Sequence, residues 1–185
     1  MARGRFGTWY GHGGGGDAGP PVVLVGGGGA GCAAGERALA RLLARRFPVL
    51  LYGRRGDGPA PAEREIGDLA LLLETLGGGA AVHGTGAGAG LVLAAAATGV
   101  PVGAVSVYEP PYADGAADGL GRVHARVLVV DGGASPSETR RAARTVAAAV
   151  PRGRHRTLTG QTHEVAPHVL APVLAEFLGE GTAGA

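Results

Sequence analysis

The chain contains no lysine and no asparagine, so all 17 of its basic residues are arginine. This bias is typical of a GC-rich genome, which also raises the counts of alanine and glycine, and single instances of these residues carry little information. The formal net charge is only +2, and the arginines are dispersed along the sequence. We therefore expect a solvated surface and no binding of nucleic acid.

Cysteine, aromatic residues and long apolar runs are also scarce. The single cysteine, Cys32, excludes an intramolecular disulfide, and with 4% aromatic residues the core must consist of valine, leucine and alanine. No run approaches the roughly 20 apolar residues that span a bilayer, and residues 1–10 hold no apolar signal core. We expect a cytoplasmic protein of bacterial type without membrane contact, with one domain over residues 1–180 and a frayed tail at 181–185.

Apolar runs and helical segments alternate along the sequence. The predicted strands are residues 20–29, 48–53, 80–84, 102–112, 125–133 and 154–160, and the predicted helices are 33–46, 61–76, 87–98, 136–150 and a terminal segment around 169–177. The strands are continuously apolar rather than alternating, which is typical of a parallel sheet covered by helices on both faces. Such sheets bind ligands at the carboxyl ends of their strands, where this chain has glycine-rich loops, Glu109 and the loop of His163.

The start of the helix at 136–150 has a recognisable sequence signal. Ser135 is followed by Pro136, which suits the first helical position, and by Glu138 at the spacing of a capping box. This pattern predicts that the Ser135 side chain caps the helix.

The first glycine-rich loop allows a nucleotide-binding interpretation. Gly26, Gly28 and Gly31 follow a strand and precede a helix, as in a dinucleotide-binding loop. The next strand ends in GRR at residues 53–55, which lacks an acid for a ribose hydroxyl but offers arginines for a 2′-phosphate. An NADP-dependent oxidoreductase is therefore one alternative, although 37 glycines in 185 residues can produce this motif by chance.

A longer series of motifs resembles the α/β-hydrolase fold, in particular a bacterial subgroup with YEPP and GQTH motifs. The matching segments, in family order, are PPVVLVGGGG (20–29), GRRGDG (53–58), EREIGDL (63–69), GTGAG (84–88), YEPPY (108–112) and TGQTHEV (159–165). Residues 8–14, TWYGHGG, resemble the hairpin strand that enters such a sheet. The resemblance covers nearly the whole chain and implies a three-layer, doubly wound and mostly parallel sheet.

Two features of that family are absent from this sequence. The family holds a nucleophilic serine on a sharp turn between a strand and a helix. Gly84 and Gly88 match its small neighbours, but the nucleophile position is Gly86 and the three serines of the chain lie elsewhere. Only residues 113–124 stand in place of the family's helical cap, which implies an essentially capless fold. We expect its pocket to be open, or covered by a second copy of the chain or by a partner.

The resemblance also assigns the remaining catalytic groups. His163 matches the catalytic histidine of the GQTH motif. Many relatives carry their acid after the later strand, but Ala134 and Ser135 occupy that position here. Haloalkane-dehalogenase-like members carry it after the strand that ends at Glu109, so Glu109 is the predicted partner of His163. The alternative is that Glu109 only fixes its loop through hydrogen bonds to the backbone.

A pair formed by Glu109 and His163 would supply a general base near neutral pH. The base would act on a water, on a substrate hydroxyl or on an acidic C–H, in the space that Gly86 leaves free. Backbone N–H groups would form an oxyanion hole. The predicted oxyanion and pocket residues are Gly27, Gly28, Gly29, Thr85 and Ala87.

We therefore predict a non-covalent enzyme that acts on a small organic molecule by cyclisation, isomerisation, elimination or water-mediated hydrolysis, in bacterial specialised metabolism. No cofactor is expected, and no metal, because the histidines lack ligand spacing. Cys32 is another conceivable nucleophile, although we expect it to be a small buried side chain. A catalytically inactive pseudo-hydrolase that binds a ligand or a partner is the main alternative, and the NADP-dependent oxidoreductase is the third.

Overall fold

The structure is a computed structural model that describes residues 2–4, 6–11, 19–27, 30–53, 62–111 and 119–180. Its strands are β1 Ala2–Gly4, β2 Gly7–Tyr10, β3 Val22–Val25, β4 Val49–Tyr52, β5 Ala81–Thr85, β6 Ala104–Tyr108, β7 Arg126–Gly132 and β8 Gly153–Leu158. Its helices are α1 Ala30–Leu43, α2 Ala62–Thr75, α3 Ala87–Ala97, α4 Ser137–Ala149 and α5 Pro167–Gly179, with a 3₁₀ turn at Leu120–Arg122.

All of these strands belong to one sheet with the order β1-β2-β4-β3-β5-β6-β7-β8. The hairpin of β1 and β2 joins β4 in antiparallel pairing, and every other neighbouring pair is parallel. Strand β2 contains the first residues of the predicted entry strand at 8–14, and residues 12–14 lie outside the described residues. The central strands are buried along their whole length, which explains why their sequences are continuously apolar.

Helices cover both faces of the sheet and enclose two hydrophobic cores. One core contains residues of three helices: Leu72 of α2, Val92 of α3 and Val146 of α4. The other core contains Leu43 of α1 and Leu174 of α5. The predicted three-layer, doubly wound and mostly parallel architecture is confirmed.

The strand order differs from that of a dinucleotide-binding domain. In that domain the second parallel strand lies between the first and the third. Here the first parallel strand, β3, lies between the second, β4, and the third, β5. The topology therefore argues against the NADP-binding alternative.

The capping-box prediction for Ser135 is wrong. Helix α4 begins at Ser137, its cap position is Pro136, and no side chain caps it. The Ser135 hydroxyl donates instead to the carboxylate of Glu109, which lies on a different strand end. The Ser135 hydroxyl therefore donates to a distant carboxylate and does not accept from a local backbone N–H, as the sequence pattern predicted.

Several other predictions lie outside the described residues. They concern Gly28 and Gly29, the side chain of Cys32, the arginines of the GRR segment, most of the segment in place of the cap, and the tail at 181–185. Among the helices that the structure does describe, none has the length and the apolar character that crossing a bilayer requires.

Candidate active site

A sharp turn joins β5 to α3 at Gly86. The residue has φ 53° and ψ −121°, a left-handed conformation that favours glycine. Its N–H donates to the Tyr108 carbonyl at 3.0 Å, and its own carbonyl accepts from the Ala89 N–H at 3.0 Å. The turn therefore has the strand–turn–helix form of a nucleophile elbow, although it carries no side chain.

Gly84 and Gly88 allow this turn to pack closely. A Cβ atom on Gly84 would lie 2.6 Å from the Cα of Ala89, and one on Gly88 would lie 2.3 Å from the Val25 carbonyl oxygen. Both contacts are with backbone atoms, which cannot move aside without displacing the strand or the helix. The small residues around the elbow are therefore required by packing.

His163 and Glu109 are brought together across the end of the sheet. The Nδ1 atom of His163 lies 2.9 Å from Oε2 of Glu109. The imidazole is 62% exposed, whereas the carboxylate side chain is only 1% exposed. Because an ionised carboxylate only accepts hydrogen bonds, this contact assigns the proton to Nδ1 and leaves Nε2 available as a base.

The carboxylate of Glu109 is fixed from its other side as well. Its Oε1 accepts from the N–H of Gly132 at 3.0 Å and from the hydroxyl of Ser135 at 2.5 Å. The Glu109 backbone adopts φ 47°, which is unusual for a residue with a side chain, and its N–H donates to Val130. One oxygen of Glu109 therefore contacts the imidazole, and the other accepts hydrogen bonds from the end of β7 and from the loop that follows it.

The elbow faces the imidazole. A Cβ atom placed on Gly86 would lie 3.4 Å from Cε1 and 3.7 Å from Nε2 of His163. A side chain at this position would therefore point toward Nε2, for which the described part of the chain provides no hydrogen-bond partner. Its absence leaves a space beside Nε2.

That space adjoins a cavity of about 340 Å³, which is within the usual range for small-molecule sites. Thr85 and His163 line the cavity. Ala87 is the first residue of α3, so its N–H has no partner within the helix and is available to an oxyanion. Gly27 lies against the turn, since a Cβ on it would be 3.6 Å from the Ala87 nitrogen.

Glu36, which the sequence analysis did not select, lines the same cavity. Burial raises the pKa of its carboxyl, and a hydrogen bond from the Gly27 N–H and the nearby charge of Arg37 partly oppose this effect. Gly27, a predicted oxyanion donor, thus directs its N–H to Glu36. The sequence did contain a signal for Glu36. It lies three positions before the buried Leu39 and seven before the buried Leu43, so it falls on the apolar face of α1.

Tyr108 was also not selected, and it positions the loop of His163. Its hydroxyl donates to the carbonyl of Thr162, the residue before His163, at 2.6 Å. Burial, together with the negative charges of Glu109 and Asp131, raises the pKa of Tyr108, which therefore stays a neutral donor.

Two further histidines lie in the sheet. His83 is buried, and its Nδ1 lies 2.9 Å from the Ser106 hydroxyl. Burial lowers the pKa of His83 to about 4, although the contact with Ser106 opposes the shift. His155 lies 2.8 Å from the buried Asp131. Among the described residues no three histidine, cysteine, aspartate or glutamate side chains form a group that could hold a metal ion.

Comparisons with known proteins agree with this fold. The sequence matches no protein-family model, and a search of curated proteins gives no match. The crystal structure of an α/β hydrolase from Sphaerobacter thermophilus has 32% sequence identity and a TM-score of 0.78, over 92% of this chain and 94% of that one. This chain belongs to the α/β-hydrolase family.

More distant α/β hydrolases share the fold alone. A monoacylglycerol lipase from Paleococcus ferrophilus has 15% identity and a TM-score of 0.75, over 92% of this chain and 96% of that one. A carboxylesterase from Nitrososphaera gargenis has 17% identity and a TM-score of 0.74, over 96% and 95% of the two chains.

Proposed function

We propose that this α/β-hydrolase acts on a small organic molecule without forming an acyl-enzyme. His163 is the general acid–base, and Glu109 orients it. The observation that carries the proposal is the 2.9 Å contact between the two side chains, next to an elbow without a nucleophile. The carboxylate favours the imidazolium form that arises when Nε2 takes a proton.

The space at Gly86 supports catalysis through a water or through a group of the substrate. In hydrolysis, a water there would lose a proton to Nε2 of His163 as its oxygen attacks a carbonyl carbon. The N–H of Ala87 would stabilise the resulting oxyanion, and His163 would then return the proton to the leaving group. The same base would serve a cyclisation, an isomerisation or an elimination by taking a proton from a substrate hydroxyl or an acidic C–H.

The magnitude of this catalysis limits the substrates. General acid–base catalysis contributes roughly 10²–10⁴-fold, so the enzyme suits molecules that already tend to react. We also propose that the fold is essentially capless, so that its pocket is open, or is covered by a second copy of the chain or by a partner. The proposal also places the reaction in the cytoplasm and in bacterial specialised metabolism, on the strength of the arginine-rich composition and the altered elbow.

A ligand-binding pseudo-hydrolase is the second candidate, and one observation favours it. The N–H of Gly27 donates to Glu36, which withdraws this donor from a developing oxyanion. A protein of this kind would bind the same small molecules in the same cavity but would not convert them.

Hydrolysis of 4-nitrophenyl acetate separates the two candidates. The enzyme should release nitrophenol without a burst, and His163→Ala should lower the rate about 100-fold. His124→Ala, which removes an exposed histidine outside the site, is the matched control and should retain the wild-type rate. Equal rates in wild type and His163→Ala would contradict the proposed catalysis and favour the pseudo-hydrolase.

A further inference from the structure

Glu36, on helix α1, contributes a second polar side chain to the cavity that His163 lines. Its Oε1 atom is buried and has no hydrogen-bond partner among the described residues. Gly26 makes room for it, because a Cβ on that residue would lie 2.0 Å from the same oxygen. A buried acceptor without a partner destabilises the free protein. Because the Glu36 side chain also lines the cavity, a small rotation of its carboxyl would bring this acceptor to a donor on a bound ligand.

The charges around the cavity restrict what this ligand can be. Glu36 and Glu164 contribute carboxyl groups, and the described lining residues include no arginine. Leu39, Val165 and Leu170 supply an apolar surface. The cavity therefore favours a neutral or cationic, largely apolar molecule and disfavours a carboxylate or a phosphate.

We propose that Glu36 is the substrate-recognition residue of this cavity. It accepts a hydrogen bond from a hydroxyl or a protonated amine on a largely apolar small molecule, and it rejects anions. The inference rests on the proposed function, because it concerns the same cavity and names the class of substrate. The bound molecule would place its donor at Glu36 and its reacting group beside His163.

Ligands with an ammonium donor and ligands with a hydroxyl donor should differ in how their affinity depends on pH. Burial raises the pKa of Glu36 above its usual value, with Arg37 beside it and with His163 and Glu164 also lining the cavity. An ammonium ligand needs the ionised carboxylate, so its affinity falls as the pH decreases through this raised pKa. A hydroxyl can bond to either form of the carboxyl, so its affinity changes less.

Equilibrium binding of three matched probes tests the proposal. They are 2-phenylethanol, 2-phenylethylamine and phenylacetate, titrated into the whole protein at pH 7 and followed by NMR. We expect the alcohol or the amine to bind about tenfold more tightly than phenylacetate, because a charged acceptor strengthens a hydrogen bond. The titrations are repeated at a lower pH. If the amine no longer binds there but the alcohol still does, the site recognises an ammonium group. If the alcohol binds more tightly than the amine at pH 7 and at the lower pH, the site recognises a hydroxyl group.

Two variants assign the selectivity to Glu36. Glu36→Gln should lower amine affinity about tenfold because it removes the charge, and Glu36→Leu should abolish the preference for donors over phenylacetate. Glu63→Gln, on the exposed start of α2, is the matched control and should bind all three probes as the wild type does.

The proposal would be overturned if a folded Glu36→Leu variant showed the same selectivity as the wild type. It would also be overturned if the wild type bound phenylacetate as tightly as it binds the alcohol and the amine. These measurements do not require turnover. His163→Ala should keep the binding preference for donors even if it has lost activity. Failure of the proposed catalysis would therefore leave this preference intact, whereas failure of the recognition role would remove it.

Discussion

Ser135 donates its hydroxyl to the oxygen of Glu109 that does not contact His163. The two partners hold the carboxylate between the ends of β7 and β8, so the orientation of the imidazole depends on a serine 26 positions from the acid. Ser135 therefore acts on the imidazole only through the carboxylate that it helps to hold.

Replacement of Ser135 tests this support. Ser135→Ala should destabilise the protein by about 1–2 kcal/mol, because a buried carboxylate oxygen loses a donor. It should also lower the rate of 4-nitrophenyl acetate hydrolysis, since the imidazole is held less firmly. Ser137→Ala is the matched control, because Ser137 is exposed and caps nothing. Urea unfolding and steady-state rates measure both effects, and equal stability of the two variants would contradict the role of Ser135.

Restoration of the elbow serine should create a covalent enzyme. In Gly86→Ser the new Oγ would project toward Nε2 of His163, so we expect labelling by a fluorophosphonate probe and a burst of nitrophenol from 4-nitrophenyl acetate. The wild type should show neither. The positive φ at residue 86 should cost about 1–3 kcal/mol of stability.

Gly86→Ala carries the same backbone strain without the hydroxyl, so it is the control for Gly86→Ser. It should be equally destabilised and remain unlabelled. A second control adds His163→Ala to Gly86→Ser, and labelling should then fall strongly because the serine has no base. Labelling of the wild-type protein would mean that it already contains a reactive nucleophile.

The sequence predicted the sheet from its apolar runs, and it predicted the contact between Glu109 and His163 from the resemblance to the α/β-hydrolase fold. Continuously apolar runs identified the strands, and parallel strands necessarily bring their carboxyl ends to one edge. The pairing of Ser135 with Glu109 was not predictable in the same way. The local pattern indicates a hydroxyl oxygen that accepts from a backbone N–H, and only the tertiary structure places a buried carboxylate within reach of the hydroxyl proton. Glu36 was missed because one acid on an apolar helix face is a weak signal.

Removal of the Tyr108 hydroxyl should loosen the loop before His163. Tyr108→Phe keeps the buried ring but removes the donor to the Thr162 carbonyl, so we expect a loss of about 1 kcal/mol in the free energy of unfolding. Amide hydrogen exchange at residues 161–165 should become faster, while exchange in β3 should not change. An unchanged exchange rate in this loop would show that the hydroxyl does not hold it.

The buried His83 should make the protein sensitive to mild acid. Burial lowers the pKa of His83 to about 4 in the folded protein, whereas an unfolded histidine has a value near 6.5, so the unfolded state binds more protons between these values. Stability is therefore retained above pH 6.5 and is lost as the pH falls toward 4. The contribution of this group is about 3 kcal/mol, because the two pKa values differ by about 2.5.

Urea unfolding at pH 7.0, 5.5 and 4.5 measures this effect against a variant without the titrating ring. His83→Gln keeps a polar group near Ser106 but cannot take up a proton, so it should be less stable than the wild type at pH 7.0 and lose less stability on acidification. Carboxyl groups titrate in both proteins and cancel in the difference. Parallel losses of stability in the two proteins would mean that His83 is already protonated in the folded state or that it titrates alike in both states.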